Sequence, residues 1–283
     1  KVIDEADATR APLPKPHTEL NYLPLGPVAV FGASNFPYAF STLGGDTAAA
    51  LAAGCPVIVK NHTAHPGTGE LMARAALAAI KECAMPLGVF AMVQSKEYDI
   101  AHQLVAAPAI KAVGFTGSFN VASKLQETIA KREEPIPFYG ELGSINPQVI
   151  LPNKAIEQSK EMAQSLCQSM LMGNGQFCTS PGLWLVPTWC DELEAHITAS
   201  INDAPSDTLL TPGIVKTFKH QIEERSQLAQ VSVLGKGKLE QTFHANAHVF
   251  VCNADDYLTT PALNEEMFGP AALVVRYDSE QQL

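Results

Sequence analysis

Residues 26–60 read GPVAVFGASNFPYAFSTLGGDTAAALAAGCPVIVK. A short apolar run at 27–32 is followed by an alanine-rich stretch at 41–53 and a second apolar run at 56–60. Runs this short and rich in Val suit buried strands, whereas the alanine-rich stretch has the length and composition of a helix. Gly54 stands where a helix C′ glycine belongs, and Pro56 stops the helix from continuing. The same alternation extends outward to residue 140. Strands are predicted at 27–32, 56–60, 88–93, 110–115 and 136–140, and helices at 41–53, 68–83, 96–106 and 118–131, the last opening behind Ser118 as N-cap. Parallel strands joined by crossover helices are the expected result, so the fold class is α/β.

A second α/β stretch begins near Ser144. It has predicted strands at 147–151, 182–187, 248–252 and 271–276, and helices at 154–172 and 189–201. Residues 202–247 read as helix plus irregular connections. Residues 1–24 carry four prolines and no hydrophobic period, the pattern of an extended arm. The expected organisation is an arm at 1–24, one domain at 25–143 and another at 144–283.

Composition narrows the function. The formal net charge is -10, which opposes a nucleic-acid partner, because such binding rests on Lys and Arg displacing counterions. No apolar run approaches the roughly 20 residues that span a bilayer, and residues 1–20 lack a basic, then apolar, leader pattern, so a cytoplasmic protein without membrane association is expected. The six cysteines fall at 55, 83, 167, 178, 190 and 252 with no close CxxC pair, which is neither a zinc pattern nor a disulfide framework. His62 and His65 have no third ligand at metal spacing, and no metal is expected there.

Three segments bear reactive side chains beside strand ends. Gly173-Asn174-Gly175-Gln176-Phe177-Cys178-Thr179 places a thiol in a glycine-flanked turn after a long helix. Such a turn can expose backbone donors that favour the thiolate, although by itself the segment reads rather as a buried structural cysteine. Phe138-Tyr139-Gly140-Glu141-Leu142-Gly143-Ser144 ends a strand on a carboxylate, at the edge where open parallel sheets bind ligands. Taken alone, Glu141 reads rather as an ordinary solvated loop residue. Gly32-Ala33-Ser34-Asn35-Phe36-Pro37 also follows a strand, and its Asn35 amide either donates into the same crevice or serves the turn. Finally, Gly114-Phe115-Thr116-Gly117-Ser118 puts small residues at a strand-to-helix junction suited to phosphate, though it is not the GxGxxG fingerprint.

In this order the segments resemble the aldehyde dehydrogenase superfamily. The resemblance rests on Gly26 to Pro37 ending in Asn-Phe-Pro, Val57-Ile58-Val59-Lys60, Phe115-Thr116-Gly117-Ser118, Glu141-Leu142-Gly143 with Asn146-Pro147 beyond, Gly175-Gln176-Phe177-Cys178, and Glu265-Glu266-Met267-Phe268-Gly269-Pro270. It implies a Rossmann-type parallel cofactor-binding domain and an α/β catalytic domain, each three-layered αβα. It implies Cys178 as nucleophile, Glu141 as the base that activates water and Asn35 as an oxyanion donor. Lys60, Thr63, Gly117, Ser118, Glu266 and Phe268 are the implied cofactor-binding residues. The family is longer at both ends, so the resemblance further implies that these residues are a piece of a larger chain, with little activity alone, and that the whole forms a dimer or tetramer.

Where the family often has a glutamate that bonds the ribose hydroxyls of NAD, three residues after the lysine, this chain has Thr63. A second anionic group about 4 Å from a 2′-phosphate costs on the order of 4 kcal/mol at an effective dielectric of 20, so its absence favours NADP, with NAD also possible. Gln94-Ser95-Lys96 stand where glycines are common near the adenine. The segment Lys60-Asn61-His62-Thr63-Ala64-His65-Pro66 looks most like the branch that contains 2,5-dioxovalerate (α-ketoglutarate semialdehyde) dehydrogenases and an NADP-dependent fatty aldehyde dehydrogenase. Oxidation of 2,5-dioxovalerate to 2-oxoglutarate is the expected reaction. The alternatives are a fatty aldehyde as substrate, or a nucleotide-binding scaffold without turnover.

Overall fold

In the computed structural model, which describes residues 2–239, 241 and 243–283, the N-terminal arm is a ribbon. Strand β1 (Val2–Asp4) pairs antiparallel with β2 (Thr18–Leu20), and Asp7 and Lys15 exchange backbone hydrogen bonds between them. The chain divides into two compact units, Lys1–Leu142 and Gly143–Leu283.

The first unit holds the sheet expected from residues 26–140. Strands β3 (Val28–Phe31), β4 (Val57–Lys60), β5 (Phe90–Val93), β6 (Ala112–Thr116) and β7 (Phe138–Glu141) lie in the order β5-β4-β3-β6-β7. All four pairings are parallel. Helices α1 (Gly45–Ala52), α2 (Pro66–Glu82), α3 (Tyr98–Ala106) and α4 (Phe119–Ile129) make the crossovers. Alternate residues of β3 face opposite ways, as the two-residue period of a strand requires. Val28 and Val30 join Val57, Val59, Ala73 and Ile80 in one core. Ala29 and Phe31 join Val105, Val113, Phe115 and Leu125 in the other. Helices thus cover both faces of the sheet, giving three layers.

The second unit repeats this plan with one reversed edge. Strand β8 (Pro147–Val149) leads through α5 (Pro152–Glu157) and α6 (Ser159–Leu171) to β9 (Leu183–Pro187). Then follow α7 (Asp191–Asn202), β10 (Asp207–Thr208), α8 (Pro212–Gln227), β11 (Ser232–Lys236), β12 (His244–Ala245), β13 (His248–Asn253), α9 (Ala254–Thr259) and β14 (Ala271–Tyr277). The main sheet runs β11-β13-β14-β9-β8, with β11 antiparallel and the other pairs parallel. Trp184, Val249 and Val274 pack on the α6 and α7 side, and Phe250, Leu273 and Val275 on the α8 side.

Three sequence expectations need correction. The helix expected at 41–53 begins only at Gly45, because 41–44 fold back against the chain that follows β3: the point where a Cβ on Gly32 would sit is 2.6 Å from the Ser41 Cα. The helix expected at 154–172 is two helices, broken where Gln158 leaves the helical region (φ -133°, ψ 35°). The stretch 202–247 contains three strands, of which β11 carries a register shift between Val233 and Gly235.

Candidate active site

The strand order of the first unit reverses between β3 and β6. Chain connections leave in opposite directions at such a point, which opens a crevice at the carboxyl ends of the strands. Phe31 pairs with Phe115, and Thr116 with Glu141. The carboxyl edge therefore carries, strand by strand, Lys60 on β4, the Ser34–Asn35 turn after β3, Gly117–Ser118 after β6 and Glu141 on β7. Asn35 is half-buried and Glu141 exposed. The Ala33 carbonyl, two residues before Asn35, accepts a hydrogen bond from His65 Nε2 at 2.9 Å. The Gly117 N–H is engaged by the Glu141 carbonyl at 3.1 Å; α4 begins immediately behind, with Ser118 as its N-cap.

Beyond β4 and β5 lies a cleft of about 240 Å³ lined by Asn61, His62, Thr63, Gln94, Ser95 and Lys96, with Pro66 closing one side. Burial holds the half-buried Lys60 ammonium below its ordinary range. His62 is pushed down to about 4, first by burial and then by the charges of His65 and Lys60. It is therefore neutral near pH 7, and its Nδ1 accepts the Ala64 N–H at 3.1 Å. The two imidazoles stack, with ring centroids 5.4 Å apart. Among the described residues no three His, Cys, Asp or Glu side chains are grouped so as to hold a metal ion. None of the residues lining the cleft is acidic, and Thr63, Ser95 and Lys96 offer two hydroxyls and an ammonium. That donor set fits a ribose bearing a phosphate.

In the second unit, Cys178 follows α6 and the tight turn Met172–Gly175, in which Gly173, Asn174 and Gly175 all have positive φ (58°, 52° and 70°). A Cβ on Gly175 would lie 2.1 Å from the Gly269 carbonyl oxygen. Only glycine lets these two backbone segments touch. The turn is tied further by Asn174 Nδ2 to the Asp207 carbonyl at 2.8 Å, and by the Leu210 N–H to Gln176 Oε1 at 2.8 Å. The Cys178 carbonyl accepts from Ser144 Oγ and from Asn146 Nδ2, the latter at 2.6 Å. Asn146 Nδ2 also donates to the Ser180 carbonyl at 2.9 Å.

The six thiols differ sharply in environment. Cys178 is half-buried and Cys83 exposed, while Cys55, Cys167, Cys190 and Cys252 are buried. Burial pushes Cys167 up to about 12 and Cys252 up to about 11, and also raises Cys190. These three remain protonated at neutral pH and are inert. The half-buried Glu266, which stands 2.9 Å from where a Cβ on Gly143 would be, is pushed up by burial, with the Ser144 N–H acting in the opposite sense. Phe268, two residues on, is half-buried.

Sequence reading did not single out Arg225 or Gln221 of α8. Buried Arg225 donates to the carbonyls of Ala262, Leu263 and Glu265 at 3.1–3.3 Å, and Gln221 Nε2 to that of Glu266 at 2.8 Å. Together they fix the loop carrying Glu266 and Phe268. The signal was present: Phe218, Ile222 and Arg225 share one helical face at i, i+4 and i+7, so an arginine lies on the apolar stripe.

A model of the aldehyde dehydrogenase family matches residues 2–283. The chain belongs to the aldehyde dehydrogenase family. It is 43% identical over 277 residues to alpha-ketoglutaric semialdehyde dehydrogenase 2 of Azospirillum brasilense, covering 97% of this chain and 53% of that protein. It is 37% identical over 286 residues to the alpha-ketoglutaric semialdehyde dehydrogenase of Acinetobacter baylyi, covering 99% of this chain and 54% of that one. It spans about half the length of these curated relatives. An NAD-dependent benzaldehyde dehydrogenase from Corynebacterium glutamicum superposes with a TM-score of 0.74 at 24% identity, over 92% of this chain and 56% of that one. That likeness shows the aldehyde dehydrogenase fold, α/β as the sequence led one to expect. No helix among the described residues is long and apolar enough to cross a membrane.

Proposed function

We propose that the full-length protein oxidises an aldehyde to a carboxylic acid with NADP as the preferred cofactor and 2,5-dioxovalerate as the aldehyde. The observation that carries the reading is the set of Lys60, Asn35, Ser118 and Glu141 along one carboxyl edge of a parallel sheet, at the point where its strand order reverses. The half-buried thiol of Cys178 on its glycine turn supports it, as do the names of the two semialdehyde dehydrogenases above.

In this reading the Cys178 thiolate attacks the aldehyde carbon, and the oxyanion that forms is held by the Asn35 amide and the Cys178 N–H. Losing one such donor typically raises the barrier by about 2.7–4 kcal/mol. A nicotinamide bound there would supply the hydride-accepting chemistry; the thiohemiacetal on Cys178, on losing its hydride, becomes a thioester. Glu141 then takes a proton from water, the hydroxide adds to the thioester carbonyl, and the Cys178 thiolate leaves with release of the acid. Lys60, Thr63, Gly117 and Ser118 bind the adenosine and phosphate parts of the cofactor, and Glu266 and Phe268 orient its nicotinamide end. The active form is a homo-oligomer, a dimer or a tetramer.

The test is kcat/KM of the full-length protein for 2,5-dioxovalerate and for long-chain aldehydes, with NADP and with NAD. Higher values with 2,5-dioxovalerate and NADP are expected, with turnover lost in Cys178→Ala. Full turnover by Cys178→Ala would falsify the reaction, a strong preference for NAD would overturn the cofactor assignment, and a preference for long-chain aldehydes would replace the substrate.

A further inference from the structure

The Ser144 hydroxyl takes no part in bond making or breaking in the proposed reaction. Strands β8 and β9 are parallel neighbours, with Pro147 opposite Leu183, so the residues that lead into one strand run beside those that lead into the other. Ser144 and Asn146 precede β8, and Cys178, Thr179 and Ser180 precede β9. The Gly182 N–H joins the two lead-in segments by donating to the Ile145 carbonyl at 2.9 Å. Cys178 itself lies in a β-turn, closed by the Ser180 N–H on the Phe177 carbonyl at 3.0 Å. The Cys178 carbonyl oxygen can accept two hydrogen bonds, and both come from the β8 side, one from Ser144 Oγ and one from Asn146 Nδ2 at 2.6 Å. The same Asn146 amide donates to the Ser180 carbonyl at 2.9 Å. The Ser144 N–H is engaged with the Glu266 carboxylate, so the serine is anchored through its backbone while its hydroxyl reaches the turn.

We propose that Ser144 is a positioning residue for the nucleophile: its hydroxyl holds the Phe177–Ser180 turn so that the Cys178 N–H stays aimed at the oxyanion formed during acylation. The inference rests on the reading of that N–H as an oxyanion donor. The peptide bond between Phe177 and Cys178 is trans, which sets the Cys178 N–H opposite to the Phe177 carbonyl. That carbonyl points into the turn, toward the Ser180 N–H, so the Cys178 N–H points out of it. The direction of the N–H therefore follows the orientation of the whole turn, which Ser144 and Asn146 hold from the β8 side. A hydrogen bond weakens steeply as its angle departs from linear. A tilt of the turn thus costs the oxyanion more than it costs the sulfur, which needs only to reach the carbon it attacks. Ser144→Ala removes the hydroxyl and leaves the backbone N–H on Glu266, so it loosens the turn without freeing the segment.

The test compares two reactions of the same thiolate in the full-length protein, with no cofactor present. Acylation by p-nitrophenyl acetate, followed as the burst of p-nitrophenolate with Cys178→Ala as the blank, passes through an oxyanion. Alkylation by iodoacetamide, followed at Cys178 by peptide mass spectrometry, displaces iodide in one step and forms none. At one pH the ratio of the two rates cancels any change in thiol ionisation. Ser144→Ala should lower the ratio of acylation to alkylation about 2–12-fold, the range that one net neutral hydrogen bond supports. Ser144→Thr, which keeps the hydroxyl, should restore it. Asn146→Gly removes the other side-chain donor at a residue whose φ of 47° suits glycine, and should lower the ratio as well; it carries the test if Ser144→Ala does not fold. A ratio that stays unchanged, whether both rates hold or both fall together, overturns the role of Ser144, because a merely structural defect slows the two reactions alike. So does a threonine variant as stable as the parent whose ratio is as low as that of alanine. Asn35→Ala separates the two ideas. If it lowers the ratio while Ser144→Ala does not, only the inference about Ser144 falls. If neither variant lowers it, the oxyanion reading itself falls.

Discussion

At Gly175 one hydrogen atom in place of a methyl group decides whether the turn that leads into Cys178 can form. Its φ of +70° already disfavours an L side chain, and an added Cβ would stand 2.1 Å from the Gly269 carbonyl oxygen. Left-handed backbone costs roughly 1–2 kcal/mol and overpacking about 1–3 kcal/mol. Gly175→Ala should therefore destabilise the protein by about 2–5 kcal/mol, measured as a loss of unfolding free energy in urea, and should slow acylation of Cys178. An alanine variant as stable as the parent would show that the Gly269 segment yields easily. Sequence alone located this glycine beside the cysteine but offered no partner for it, because Gly269 is 94 residues away. Asn146 is similar: it was visible only as part of a motif, whereas its two hydrogen bonds to the carbonyls of Cys178 and Ser180 are tertiary.

The segment between β4 and α2 shows how one element couples charge to stability. His62 sits there, neutral and partly buried, with its pKa depressed from 6.5 to about 4. Unfolding frees it to take up a proton at any pH below about 6.5, so the unfolded state binds more protons than the native state in that range. The stabilisation is fully present above pH 6.5 and is lost as pH falls toward about 4. The melting temperature of the parent should drop more steeply from pH 7 to 4.5 than that of His62→Gln; equal slopes would mean that His62 is solvated. The central strands and the helices α2–α4 were legible because their apolar and polar residues alternate with a clear period. Strand β11 was not: SVLGK is short, is interrupted by a register shift and has only its pairing with β13 to define it. The break at Gln158 was equally hidden, since glutamine is a good helix former and no glycine or proline marks the site.

For the molecule as a whole, a ligand that binds only the folded state stabilises it by mass action, by about 2.7 kcal/mol at a hundredfold excess over Kd. NADP should accordingly raise the melting temperature of the full-length protein more than NAD at equal concentration. Thr63→Glu should invert that order by placing a carboxylate in the cleft, none of whose lining residues is acidic. An unchanged order would move the source of cofactor choice to Ser95 and Lys96. What the sequence determined by itself was the α/β class, the central strands and their order along the chain, and the membership of the family, and it singled out Cys178, Glu141 and Asn35 as the residues to test. All of these depend on local periodicity or on ordered short motifs. What only the tertiary structure decided was which side chains meet: Arg225 under the Glu266 loop, His65 on the Ala33 carbonyl, and Ser144 on the Cys178 carbonyl. Such contacts depend on strand register and on the spaces that glycines leave open, and these exist only once distant segments have packed.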